Sequence, residues 1–128
     1  MNITTLLTNY WEDMVKPDAT VMRKYFHSDA TIYLHDAKEK LGVDEFVTEH
    51  CHYFDDTYKA TVFRIDELKN GQFVTITFVR SKTWLDPKES PYTSSFETSF
   101  FTLNDAHKIV ELHQYGIPHA ECEEGSMI

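Results

Sequence analysis

The chain has 128 residues, 41% of them hydrophobic and 14% aromatic, which excludes a disordered segment and leaves room for one sizeable core but not two. Its formal net charge is −9 and no basic cluster exceeds a dipeptide, which argues against a nucleic-acid partner, since phosphate binding needs gathered Lys and Arg. No apolar run approaches membrane-spanning length, the N-terminus lacks the charged-then-apolar layout of a signal peptide, and Cys51 and Cys122 are too few for a disulfide framework; a cytoplasmic protein with free thiols and no membrane association is expected.

Ile3, Leu6, Leu7, Tyr10, Trp11, Met14 and Val15 recur at helical spacing, with polar residues between them, and Pro17 ends this first helix. Asp18 caps a short second helix whose apolar side is Val21, Met22, Tyr25 and Phe26. Residues 30–35 are β-prone and predict a first strand. Gly42 and Asp44 open a third helix with the stripe Val43, Phe46, Val47, His50, Cys51 and Phe54. From residue 57 onward the pattern is strand and turn: a strand over 57–68, a tight turn at Asn70-Gly71, and a strand over 73–85. A proline-bearing connection over 86–91 follows, then a strand over 92–103, a turn at 104–107 and a strand over 108–115. Residues 1–117 are expected to form the domain, and 118–128 a flexible acidic tail.

Helix, helix, strand, helix and four long strands make an α+β meander, one face of which the helices must cover. The stretches Phe26-His27-Ser28-Asp29-Ala30-Thr31, Gly42-Val43-Asp44-Glu45-Phe46 and the run over 101–112, in this order, resemble the nuclear transport factor 2-like superfamily. That superfamily includes SnoaL-like polyketide cyclases, ketosteroid isomerases and scytalone dehydratase. The resemblance implies a cystatin-like, cone-shaped curved antiparallel (mixed) sheet with three N-terminal helices on its concave face. It also implies a site at the mouth of the cone, where Tyr10 matches the ketosteroid isomerase tyrosine that donates to a developing oxyanion and His50 matches a supporting tyrosine. Two positions depart from the isomerases: Leu34 stands for the general-base carboxylate of the first strand, and Ser99 for the second oxyanion donor.

Turn arithmetic gives a provisional register. Pairing about the centre of 86–91 sets Arg80 opposite Glu97 and Phe78 opposite Ser99; pairing about 104–107 sets Ser99 opposite Leu112 and Glu97 opposite Gln114. One sheet face then carries Val74, Ile76, Phe78, Arg80, Ser95, Glu97, Ser99, Phe101, Leu112 and Gln114, apolar at one end and polar at the other. Arg80, Glu97 and Gln114 form a cross-strand row, read first as a structural ion pair and second as ligand contacts. Tyr10 and His50 lie on apolar helix faces, where a tyrosine–histidine bond satisfies both in a core or serves a pocket. The pocket candidates are Tyr10, Met14, Leu34, His50, Phe54, Phe78, Arg80, Glu97, Ser99, Leu112 and Gln114. No cofactor is implied, and His50-Cys51-His52 is not read as a metal site because its imidazoles diverge on a helix.

The opposite face, with Phe73, Thr75, Thr77, Val79, Ser81, Thr83, Phe96, Thr98, Phe100 and Thr102, predicts a homodimer through the outer sheet face. Two functions stay open. One is a SnoaL-like domain binding an apolar, carbonyl-bearing small molecule, with isomerase, cyclase or dehydratase chemistry. The other is a non-catalytic dimeric ligand-binding or protein-association module.

Overall fold

A computed structural model describes residues 2–53, 58–80 and 94–118. Helix α1 (Ile3–Met14) starts where the Asn2 side chain accepts from the Thr5 N–H at 2.8 Å, and Asp18 does the same for Val21 at the start of α2 (Ala19–Arg23). Then come β1 (Phe26–Leu34), β2 (Glu39–Leu41), α3 (Val43–Tyr53), β3 (Lys59–Lys69), β4 (Gln72–Arg80), β5 (Ser94–Leu103) and β6 (Ile109–Pro118). The six strands form one open sheet in the order β2-β1-β6-β5-β4-β3. All neighbours are antiparallel except β1 and β6, so the sheet is mixed, and the helices cover one side of it, as the α+β cone requires.

The short connections behave as their residues dictate. Gly71 takes φ +76° in the β3–β4 turn, a conformation open to glycine. The Asn104 side chain accepts from the N–H groups of Ala106 and Lys108 and so shapes the β5–β6 turn. Two elements differ from expectation. First, β1 begins at Phe26 rather than near residue 30: Phe26 leaves the helix stripe, pairs with Ile109, and a register shift absorbs the polar residues before Thr31. Second, β2 was not expected at all. Its residues Glu39-Lys40-Leu41 carry little strand signal, and pairing with β1 beyond a turn at Lys38 (φ +56°) makes them a strand.

The largest correction concerns register. Arg80 pairs with Ser94, not Glu97, and Phe78 pairs with Phe96, not Ser99. This is a slip of three positions, and an odd slip exchanges the faces of β4 relative to β5. The helix-covered inner face of β4 is therefore Phe73, Thr75, Thr77 and Val79, all buried, whereas Val74, Ile76, Phe78 and Arg80 lie on the outer face. The β5–β6 register slips by two, Ser99 facing Gln114 and Phe101 facing Leu112, so those faces stand as expected. Against the inner face pack Leu7, Tyr10, Trp11 and Met14 of α1, Met22 of α2, and Phe46 and Val47 of α3. Residues 119–128, Phe54, and the 81–93 stretch with Ser81 and Thr83 lie outside the described residues.

Candidate functional site

Reading across the strands, the inner face is built in layers. Its floor is Phe73, Phe101, Leu112, Ile32 and Leu41, all buried. One step toward the rim, Thr75, Ser99, Gln114 and Leu34 stand in a row. One step further, Thr77, Glu97 and Gly116 form a second polar row. The alternation of β5 (Ser95, Glu97, Ser99, Phe101) thus runs from polar rim to apolar floor along a single strand.

The hydroxyl layer is only partly satisfied. Trp11 Nε1 donates to Thr75 Oγ1 at 3.0 Å, a buried bond that ties α1 to the sheet. Thr77 and Ser99 are both fully buried, and among the described residues neither hydroxyl has a hydrogen-bond partner. Buried hydroxyls without partners are costly, so two in successive rows of one polar zone mark a place where another polar atom belongs.

Glu97 completes the zone. Ser95 Oγ donates to Glu97 Oε1 at 2.8 Å. Burial pushes the carboxyl up to about 8, and the Asp36 carboxylate in the β1–β2 turn adds to the rise against the Ser95 bond. At neutral pH Glu97 is therefore mainly the neutral acid, a hydrogen-bond donor. Tyr10 lies deeper, its ring packed edge-on against Trp11, Tyr25, Phe26 and Phe101 at 5.1 to 6.1 Å. Burial, with Glu97 and Tyr25 nearby, holds its phenol protonated well above the usual range. The site offers neutral donors over an apolar floor.

Of the expected candidates, the fold gathers Tyr10, Leu34, Glu97, Ser99, Leu112 and Gln114, with Met14 in the core behind them. It separates Phe78 and Arg80, which lie on the other side of the sheet, so the Arg80–Glu97–Gln114 row does not form. The His50 ring lies tilted against Phe46, centroids 4.2 Å apart; Phe46 meets Phe26, and Phe26 meets Tyr10, so two phenyl rings stand between the expected partners. Burial pushes the His50 imidazole down to about 4, leaving it neutral. Thr75, Thr77 and Gly116 belong to the site but were not expected there. The first two were assigned to the wrong face, and an interior strand glycine was the available signal for the third.

A separate cleft of about 370 Å³ lies between Thr4, Thr8 and Glu12 of α1 and residues 60–65 of β3. Its lining residues Val62 and Ile65 pair with Thr77 and Thr75, so it borders the β4 side of the polar zone, and its one cationic lining group, Arg64, is engaged by Asp66. Among the described residues no three His, Cys, Asp or Glu side chains converge as a metal site, and no helix is long and apolar enough to cross a membrane.

No family model and no curated protein matches the chain. Solved structures do. An NTF-2 like protein of unknown function from Burkholderia xenovorans LB400 is similar with TM-score 0.72 and 15% identity, over 98% of this chain and 90% of that one. A protein assigned to the SnoaL-like polyketide cyclases from Shewanella putrefaciens CN-32 matches with TM-score 0.72 and 10% identity, over 98% and 86%. SalBIII, an epoxide hydrolase/cyclase-like enzyme with a role in pyran ring formation in the polyether salinomycin, matches with TM-score 0.67 and 14% identity, over 89% of each chain. The chain shares its fold with these NTF2-like and SnoaL-like proteins, in agreement with the fold that the resemblance read from the sequence implies.

Proposed function

We propose that the inner face holds an apolar small molecule bearing a carbonyl or similar acceptor oxygen, and that Glu97 is the proton donor to that oxygen. The observation that supports this reading is the pairing of two buried, unpartnered hydroxyls, Thr77 and Ser99, with a carboxyl kept neutral by its surroundings. An acceptor oxygen arriving there satisfies groups that the protein leaves unsatisfied, while the floor of Phe101, Phe73 and Leu112 takes the apolar body. A carboxyl titrating near the working pH can give a proton and take it back, which is what isomerase, cyclase or dehydratase chemistry needs. Leu34 sits where the resemblance expects a base, so Glu97 has to serve in both directions. The likeness of fold to SnoaL-like and cyclase-like proteins agrees with this reading.

1-Acetonaphthalene, a planar aromatic ketone, is a suitable probe in isothermal titration. Saturable binding is expected, weakened about tenfold in Glu97→Ala through loss of a donor, and weakened in the parent chain as pH rises through 8. Absence of binding, or binding indifferent to Glu97→Ala and to pH, contradicts the reading.

A second copy on the outer sheet face is the other reading, and the exposure of Phe100 (37%) and Tyr115 (46%) favours it. The face differs from the expected one: Phe73, Thr75, Thr77 and Val79 are inside, and Phe78 and Phe96 are buried as a ring pair 4.7 Å apart. Val74, Ile76, Thr98, Phe100 and Tyr115 remain for an isologous contact. Light scattering at micromolar concentration should give twice the chain mass, falling to one chain in Phe100→Asp; a single-chain mass throughout removes the dimer.

A further inference from the structure

We propose that Gly116 is the positioning residue of this site: its missing side chain is the space in which the Glu97 carboxyl lies, and any larger residue there moves the acid out of the polar zone. Glu97 and Gly116 are direct cross-strand partners on β5 and β6. A Cβ placed on Gly116 meets Glu97 Oε2 at 2.8 Å, closer than real Cβ atoms come, with Oε1 at 3.0 Å and Cδ at 3.2 Å also tight. The carboxyl thus lies flat across the β6 backbone, held from its own strand by Ser95 Oγ.

Backbone conformation does not account for the glycine. Gly71 needs its positive φ, but Gly116 has no such angle and sits in an ordinary strand, where a glycine weakens pairing and packs nothing. Room for the carboxyl is what remains. Glycine at this position and glutamate opposite are one device, in which each residue is intelligible only through the other.

The consequence is chemical. Besides burial, the groups acting on the carboxyl are Ser95 on β5 and Asp36 of the β1–β2 turn, and the carboxyl in turn acts on the Tyr10 phenol of α1. A side chain at Gly116 clashes with the far end of a flexible glutamate, not with backbone, so the acid swings toward water while the fold stays intact. It then titrates as an ordinary glutamate and no longer donates beside Thr77 and Ser99. The effect on binding rests on the ligand reading above; the effect on titration does not.

The test is Gly116→Ala in the full chain, with the Glu97 carboxyl carbon followed by NMR across pH and 1-acetonaphthalene binding measured in parallel. The expected result is a fall of the Glu97 midpoint by at least one pH unit, and about tenfold weaker probe binding. In Glu97→Asp/Gly116→Ala the acid is shorter by one methylene, clears the new methyl, and its midpoint returns upward. An unchanged Glu97 midpoint in Gly116→Ala overturns the proposal. A shifted midpoint with no probe binding in either chain upholds the positioning role and removes the ligand reading alone. Should Gly116→Ala fail to fold, folding has to return in Glu97→Ala/Gly116→Ala, because the clash has gone; failure there also overturns it.

Discussion

Replacing Phe101 with Ala should lower unfolding stability by about 3 to 5 kcal/mol, a large share of what a domain of this size possesses. Phe101 is 1% exposed, lies between Phe73 and Leu112 in the floor, and meets the Tyr10 ring edge-on at 5.1 Å. Truncation removes the transfer energy of the ring and leaves a void that α1 and the rigid sheet cannot close. Urea unfolding should show a lower midpoint at unchanged slope. The neighbouring Phe100→Ala is the control. Its side chain is on the outer face and 37% exposed, so its loss should stay below about 1 kcal/mol in the monomer. Equal losses at the two positions would contradict the register that places the site.

The second expectation concerns pH and Glu97. Its carboxyl titrates at about 8 when folded, against 4.5 as the ordinary value. Between those limits the folded chain holds a proton that the unfolded chain has released, so stability falls as pH rises, by roughly 1.4 kcal/mol per pH unit. The contribution is fully present below 4.5, is lost as pH rises through 8, and is flat beyond. His50 acts oppositely: lowered to about 4 from 6.5, it makes stability fall as pH drops below 6.5. The two slopes oppose each other at acid pH and leave Glu97 alone above 6.5, where about 2 kcal/mol should disappear by pH 8. Glu97→Gln should abolish that loss and be more stable than the parent above pH 8, since an amide needs no charged form. Parallel curves for the two proteins would mean that Glu97 is solvated and not a donor.

Much of this was legible in the residues, and the failures have physical reasons. The helix stripes, the Asp18 cap and the Asn70-Gly71 turn are local signals, and local signals survive folding. The β5–β6 register was wrong by an even number, which left Glu97, Ser99, Leu112 and Gln114 on one face. β4 ends at Arg80 and β5 begins at Ser94, so the centre of the expected 86–91 connection does not set their register. Hydropathy could not have corrected the register, because Val74, Ile76 and Phe78 look more like core than Phe73, Thr75 and Thr77. Thr75 is held inside by the bond from Trp11 Nε1, and Thr77 lies on the same face of the strand. β2 depends wholly on pairing with β1, so no reading of Glu39-Lys40-Leu41 alone reveals it. The Glu97–Gly116 relation is likewise tertiary: it appears once the strands are in register.

The most direct test of the central claim is a crystal structure of the purified protein at high resolution, read between Tyr10, Glu97 and Ser99. The account predicts density for a small molecule or ordered water bonded to Ser99 Oγ, Thr77 Oγ1 and the Glu97 carboxyl, with that carboxyl lying across Gly116. Finding the same space filled by the protein's own side chains, with both hydroxyls bonded to protein groups, would contradict it.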